Sequence, residues 1–159
     1  MDKKYWTDYY KTDNAPQKPS YFAMDIADML HPNKKMLELG CGNGRDSIFF
    51  SEKGIYVTAI DQAESSINNL SKKYSDIKFV ADDFVSTEQF NIDTYDYIYS
   101  RFSIHSINSE QENILLNKAY KSLNKGGKIF IEVRSIKDEF YGRGKKIGKN
   151  EYIYQGHYR

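Results

Sequence analysis

The feature that most constrains the fold is a glycine-rich stretch at residues 37–46, LELGCGNGRD. Gly40, Gly42 and Gly44 alternate with other residues, directly after an apolar run that one acid, Glu38, interrupts. Glycine is used where the backbone needs a positive φ or lies hard against another group. The stretch therefore predicts a tight turn between a buried strand and a helix, packed closely against a second group.

The rest of the chain alternates helix-like and strand-like segments, which predicts an α/β fold with a parallel sheet covered on both faces. Apolar residues recur at helical spacing in residues 20–30, 46–54, 63–74 and 109–123. KMLELG is predicted to be a short buried strand, and further strands are predicted at IYVTAID, which is rich in β-branched residues, and at IKFVAD, YDYIYS and KIFIEVRS. Residues 86–94 are predicted to be a loop.

The helix termini carry capping signals. Ser20 is predicted to cap the first helix and Asp46 the helix after the glycine stretch, which Gly54 would end. Ser109 and Glu112 have the spacing of a capping box for the last long helix.

Polar residues follow the predicted strands at their carboxyl ends, where open parallel sheets bind their ligands. We expect one rim to hold residues 38–44, Asp61, Asp82, Asp83, Ser100, Arg101 and Arg134.

The glycine stretch departs from the dinucleotide pattern G-x-G-x-x-G, because Arg45 occupies the position of the third glycine. Phosphate-binding P-loops are also excluded, since no Gly-Lys-Ser/Thr follows. Glu38 suits a cationic ligand group better than a pyrophosphate, and Asp61 can accept hydrogen bonds from ribose hydroxyls. The simpler alternative is a tight strand–helix connection without a ligand.

Composition narrows the class of protein. The 159 residues suffice for one domain, and a net charge of +1 favours neither nucleic acid nor an anionic membrane as a partner. No apolar run approaches the roughly 20 residues of a spanning helix. A single cysteine, Cys41, excludes an internal disulfide. We expect a cytoplasmic protein that binds neither membrane nor nucleic acid.

LELGCGNGRDS, IYVTAID, FVADDF and YDYIYSRFSIH, in this order and spacing, resemble the class I S-adenosylmethionine-dependent methyltransferases. The resemblance implies a Rossmann-like, mostly parallel sheet and S-adenosylmethionine as cofactor. It implies that the glycine loop packs against the methionine portion, Asp61 holds the ribose, and Asp83 or Asp82 meets the adenine, flanked by Phe84 or its backbone. The implied cofactor contacts are Glu38, Gly40, Cys41, Gly42, Gly44, Asp61, Gln62, Asp82, Asp83, Phe84 and Ser100. No metal site is predicted.

Candidate residues for the methyl acceptor lie later in the chain. His105 follows the fourth strand, where the family places residues that face the methyl group, and a structural histidine is the alternative. Arg101 and Arg134 are candidates for binding an anionic acceptor, with surface ion pairs as the alternative. A narrower resemblance, to bacterial small-molecule methyltransferases associated with capsule modification, suggests that His157 faces the substrate. We expect transfer to an oxygen of a small polar, anionic metabolite or glycan precursor.

The sequence divides the single domain into an N-terminal cap or lid (1–19), a cofactor-binding core (20–134) and a basic C-terminal part (135–159), with packing onto the core as the alternative for the aromatic N-terminus. The family sheet carries two further strands after the fifth, which this chain lacks. We expect either a truncated chain or an edge covered by EYIYQGHYR or by a second copy. The rival functions are a non-catalytic S-adenosyl-ligand-binding module or assembly partner, an NAD-binding oxidoreductase and an RNA methyltransferase.

Overall fold

The computed structural model describes residues 16–154 and 157–158, with side chains for 16–154. Most of the lid predicted at residues 1–19 lies outside the described residues. Pro16 and Lys18, at its described end, accept hydrogen bonds from the side chains of Asn43 and Arg45 in and beside the glycine stretch, at 2.8 and 3.1 Å.

The five predicted strands form a parallel central sheet. Their order in the sheet is β3-β2-β1-β4-β5. They are β1 (Lys35–Leu39), β2 (Tyr56–Asp61), β3 (Lys78–Ala81), β4 (Tyr95–Arg101) and β5 (Leu123–Glu132). Because β1 and β4 are neighbours although β2 and β3 lie between them in sequence, the chain reverses its direction of progress beside β1. Such a switch point is where open α/β sheets bind ligands.

Helices cover both faces of this sheet, which confirms the predicted architecture. They are α1 (Tyr21–Ile26), α2 (Arg45–Glu52), α3 (Glu64–Lys73), α4 (Gln89–Ile92) and α5 (Ser109–Ser122), with 3-10 turns at Ala27–Met29 and Ile104–Ser106. One buried cluster joins α1, α2 and α3 to the sheet, and a second joins α4 and α5 to its other face. Of the helices in the described ranges, none is long and apolar enough to cross a membrane.

The helix termini confirm some capping predictions and correct others. Ser20 caps α1 by accepting a hydrogen bond from the Ala23 amide. Asp46 is not the cap of α2, because left-handed Gly44 precedes the helix and Asp46 lies within its first turn. The capping box of α5 is formed one residue earlier than predicted, by Asn108 and Gln111. The predicted loop at 86–94 contains α4, a single helical turn.

The C-terminal part differs most from the prediction. A separate antiparallel sheet consists of β6 (Lys145–Gly148), β7 (Glu151–Tyr154) and β8 (His157–Tyr158). The basic stretch GRGKKIGKN is therefore partly a strand rather than wholly a loop. The suggestion that EYIYQGHYR covers the edge of β5 is wrong for the described residues, because β7 and β8 pair with each other and β6.

A buried carboxylate at Asp46 ties three elements of one sheet face together. Its oxygens accept hydrogen bonds from the Ser20 amide at 2.7 Å, the Ser20 hydroxyl at 2.8 Å and the Tyr99 hydroxyl at 2.8 Å. Burial, reinforced by the charge of Asp46, strongly raises the pKa of the Tyr99 phenol, which stays protonated as a donor. Asp46 thus joins the start of α1, the first turn of α2 and the centre of β4.

Replacing Asp46 with alanine is expected to lower the free energy of unfolding by about 2–4 kcal/mol, since buried donors of Ser20 and Tyr99 lose their acceptor. Urea unfolding measures the loss. Asp25→Ala, at an exposed position of α1, is the matched control and should change stability by less than about 0.5 kcal/mol. Equal losses in the two variants would contradict a tying role for Asp46.

Candidate functional site

The glycine loop has the tight turn that the sequence predicts. Gly40, Gly42 and Gly44 have φ of 79°, 59° and 74°, in the left-handed region that favours glycine. A Cβ on Gly40 would overlap the side chain of Ser103, whose own Cβ would lie 2.8 Å away. The loop is therefore pressed against the residues that follow β4.

Asp61 closes the loop from the carboxyl end of β2. Its Oδ2 accepts a hydrogen bond from the Gly42 amide at 2.8 Å, and its Oδ1 accepts one from the Ala63 amide at 2.9 Å. The Ile60 carbonyl accepts from the amides of Gly40 and Cys41, which fixes the loop to β2 a second time. Burial raises the pKa of Asp61, while the amide hydrogen bonds act in the opposite direction.

Glu38 lies near the carboxyl end of β1, 3 % exposed, and accepts a 2.5 Å hydrogen bond from the Ser47 hydroxyl. Burial, followed by the charge of Asp46 and then that of Asp61, raises the pKa of Glu38 to about 8. The carboxyl group therefore carries a proton at neutral pH. Burial also raises the pKa of the Cys41 thiol, so this cysteine is a neutral small side chain rather than a nucleophile.

The end of β3 brings together the predicted adenine-side residues. Gln62 donates to Asp83 Oδ2 at 2.7 Å, and the Val85 amide donates to Asp83 Oδ1 at 2.8 Å. The Asp82 amide donates to the Asp61 carbonyl, which places both acids beside the end of β2. The Phe84 ring is buried in the core, 3 % exposed, so of the two predicted contacts only its backbone remains.

The two arginines predicted to bind an anionic acceptor, Arg101 at the end of β4 and Arg134 after β5, are both paired with carboxylates. Arg101 Nε lies 2.5 Å from Glu132 Oε2, and Arg134 Nη1 lies 2.7 Å from Asp138 Oδ2. For both arginines the ion-pair alternative therefore describes the structure. Ser100 is fully buried, and its hydroxyl finds no hydrogen-bond partner among the described residues.

A cavity of about 370 Å³ lies beside this rim. One wall is the 3-10 turn and the start of α5, including Ile104, His105 and Ile107, and the other is formed by residues 133–151. His105, in the cavity wall, follows Ser103 by two residues, and Ser103 contacts Gly40 of the glycine loop. The side chain of His157, the third predicted acceptor residue, lies outside the described residues.

The structure thus brings residues 38–44, Asp61, Asp82, Asp83 and Ser100 to one rim, as predicted. It adds residues that sequence reasoning missed. The only sequence signal for Ser47 is its position in the first turn of the helix after the loop. The only signal for Ser103 is Gly40, whose missing side chain indicates a close contact. No sequence signal marks the wall at residues 133–151, because its place depends on how the C-terminal sheet folds back.

Comparison with known proteins identifies similar chains. A family model described as a methyltransferase domain matches residues 36–127. Phosphoethanolamine N-methyltransferase of Plasmodium falciparum is 33% identical over 106 residues, covering 64% of this chain and 40% of that protein. A probable S-adenosyl-L-methionine-dependent methyltransferase, TehB of Haemophilus influenzae, is 31% identical over 124 residues, covering 73% and 41%. The chain therefore spans about two fifths of the length of these curated relatives.

Among solved structures, a TehB-like methyltransferase from Corynebacterium glutamicum superposes with a TM-score of 0.64. Its sequence is 21% identical, and the match covers 80% of this chain and 68% of that one. At this identity the likeness concerns the fold, which is the Rossmann-like sheet expected from the sequence.

The state of Glu38 predicts a pH effect on stability. Native Glu38 holds its proton up to about pH 8, whereas an unfolded glutamate loses it near 4.5. Its contribution is therefore complete below pH 4.5 and is lost as the pH rises towards 8, by at most about 1.4 kcal/mol per pH unit. Relative to Glu38→Gln, wild-type protein should lose free energy of unfolding between pH 5 and 8, measured with urea. A difference that stays constant, as expected for exposed Glu52→Gln, would contradict this.

Proposed function

Because this chain belongs to the methyltransferase-domain family, whose methyl donor is S-adenosylmethionine, we propose that it transfers a methyl group from that cofactor to a small polar molecule. The family model covers residues 36–127, more than half of the chain. This membership confirms the family and the cofactor that the glycine-loop sequence predicts. The reaction itself and the roles of individual residues are our proposals.

The observation that carries the proposal is the glycine loop bonded to Asp61. In this assignment the loop and Glu38 hold the methionine portion of the cofactor, and Asp61 holds the ribose. Each Asp61 oxygen accepts one backbone amide, and a carboxylate oxygen has a second lone pair with which to accept a ribose hydroxyl. The absence of a basic group in the loop beyond Arg45 suits a ligand without phosphate.

The remaining contacts follow the rim. Asp82 or Asp83, with Gln62 and the Phe84 backbone, would hold the adenine. Gly40, Cys41, Gly42 and Gly44 would line the methionine portion, with Ser100 beneath them. Asp61 and Asp83 are held by hydrogen bonds to their neighbours, so this part of the rim is ordered before a ligand arrives, which lowers the entropic cost of binding.

S-adenosylmethionine supplies an electrophilic methyl group on a sulfonium sulfur. The protein's part is to position the acceptor and exclude water, because in-line displacement depends chiefly on proximity and orientation. We assign the acceptor to the cavity of about 370 Å³ whose wall includes His105, two residues after the serine that contacts Gly40. His105, in its wall, would take the proton of an acceptor hydroxyl.

Two acceptor classes deserve a test. An oxygen acceptor is our first choice, since His105 lines the cavity and a hydroxyl needs a base. A nitrogen acceptor is the second choice, because one relative is a phosphoethanolamine N-methyltransferase. The anionic acceptor predicted from Arg101 and Arg134 finds no support in their geometry, since each guanidinium already faces a carboxylate.

Narrower predictions stay predictions: a cytoplasmic location, a role in capsule modification, catalytic roles for Arg101 and His157, and self-association through the edge of β5. That edge pairs with no strand in the described ranges, and unpaired edges favour association. A non-catalytic module that only binds S-adenosyl ligands is the functional alternative.

Calorimetric titration should detect binding of S-adenosylhomocysteine and no binding of NAD. Asp61→Ala is expected to weaken the affinity about tenfold to a hundredfold, through lost ribose hydrogen bonds to a charged group, and Asp61→Asn should weaken it less. Asp93→Ala is the matched control, because Asp93 precedes β4 at the opposite end of the sheet and pairs with Lys35. Absence of binding by folded wild-type protein would overturn the cofactor assignment.

Methyl transfer from isotopically labelled S-adenosylmethionine should be measured with pairs of small polar molecules. The two members of a pair differ only in that one carries a hydroxyl and the other an amine. We expect methyl ethers as products, and a loss of rate of about 10²–10⁴-fold in His105→Gln with unchanged S-adenosylhomocysteine affinity. Methylamine products would favour the second acceptor class. Cofactor binding without turnover on any acceptor would favour the non-catalytic module.

A further inference from the structure

Phe102, directly after β4, has a backbone conformation that an aromatic residue rarely adopts. Its φ of 53° lies in the left-handed region, and its amide donates to the Glu132 carbonyl at 2.8 Å. A bulky side chain at such a φ carries steric strain that persists only where its surroundings enforce it. Residues of this kind cluster at functional sites, so the contacts of Phe102 matter.

The Phe102 ring contacts two guanidinium groups. Arg101 Cζ is 4.2 Å and Arg134 Cζ is 5.2 Å from the ring centroid, both within cation–π range. Each guanidinium is itself fixed by a carboxylate, Glu132 or Asp138. The ring therefore joins the end of β4 to the segment that follows β5.

Arg134 also contacts a second aromatic ring, within the C-terminal segment, which we define as residues 133–154. Arg134 Cζ also lies 5.8 Å from the Phe140 centroid, and Arg143 Cζ lies 5.5 Å from it on the same ring. At the other end of the segment, Glu151 Oε1 accepts a hydrogen bond from the Ser109 hydroxyl at 2.5 Å. The segment is thus anchored to the rim by arginine–phenylalanine contacts and to α5 by Glu151.

Phe102 also contacts the opposite wall of the cavity. Its ring centroid lies 6.0 Å from that of His105, with the two planes at 73°, an edge-to-face arrangement. One side chain therefore reaches both walls, His105 on one side and Arg134 on the other.

We propose that Phe102 is a positioning residue for this cavity: held by its contacts with Arg101 and Arg134, its ring sets the place of His105 and anchors the C-terminal segment as the facing wall. The cavity's ligand, a methyl acceptor, rests on the proposed function, whereas the positioning itself does not. The strained backbone at Phe102 points the ring into this place, and the two ion pairs hold the guanidinium groups close to it.

The test compares Phe102→Leu, which keeps an apolar side chain without the ring, with Phe102→Tyr, which restores the ring. Phe49→Leu is the matched control, because Phe49 also carries a cation–π contact, to Lys53, on a helix away from the cavity. The full chain is followed by NMR of the His105 imidazole, assigned with His105→Gln, and by tryptic cleavage after Lys145 and Lys146.

In Phe102→Leu we expect the His105 signals to move and tryptic cleavage to accelerate about 5–30-fold, the effect of losing two cation–π contacts when cleavage follows local opening. Phe102→Tyr should resemble wild type in both measurements. Should Phe102→Leu fail to fold, Arg134→Leu removes one of the two cation–π contacts of Phe102 and is expected to give the same two changes.

The inference would be overturned if Phe102→Leu, like Phe49→Leu, left the His105 signals and the cleavage rate unchanged. It would also be overturned if Phe102→Tyr differed from wild type as much as Phe102→Leu does. S-adenosylhomocysteine affinity, measured on the same samples, should stay at the wild-type value in every variant. Absence of S-adenosylhomocysteine binding by the wild-type protein would instead overturn the proposed function. The failure of the inference and the failure of the proposed function are therefore distinguishable.

Discussion

The hydrogen bond from the Gly42 amide to the Asp61 carboxylate joins the loop after β1 to the end of β2, and the site depends on it. Gly40, Gly42 and Gly44 of this loop are all left-handed, and Gly40 lies against Ser103, which follows β4. The carboxyl ends of β1, β2 and β4 are thereby fixed relative to one another. A site on this rim is preorganised by the backbone rather than by side chains that a ligand would have to order.

Three buried carboxyl groups around this loop differ in how well their charge is stabilised. Asp46 accepts hydrogen bonds from two side chains and an amide, and Asp61 accepts two amides. Glu38 accepts one hydroxyl and has the other two acids nearby, so the proton resides there. The face of the sheet beneath the loop therefore avoids an uncompensated third charge, and Glu38 keeps the capacity to become anionic beside a cationic ligand.

The arginines at the rim serve the structure of the cavity rather than an open anion site. Arg101 and Arg134 each have a carboxylate partner, and each contacts the Phe102 ring. Their charges are compensated within the protein, and their planar groups act as packing surfaces for aromatic rings. The C-terminal segment gains its place from these contacts and from Glu151, which is why the cavity has a second wall although the central sheet ends at β5.

The sequence by itself determined the five strands, the helices on both faces, the glycine loop and the acids at the strand ends, because these follow from local periodicity and from residues that each require one backbone conformation. It could not decide that Asp46 turns inward instead of capping α2, that α5 is capped by Asn108, or that Phe84 packs into the core. Those outcomes depend on partners 20 or more residues away or on a one-residue choice between adjacent polar side chains. The ion pairs of Arg101 and Arg134, the left-handed Phe102 and the fold of residues 145–158 were likewise decided by the tertiary structure, since long-range contacts alone select among conformations that the local sequence permits.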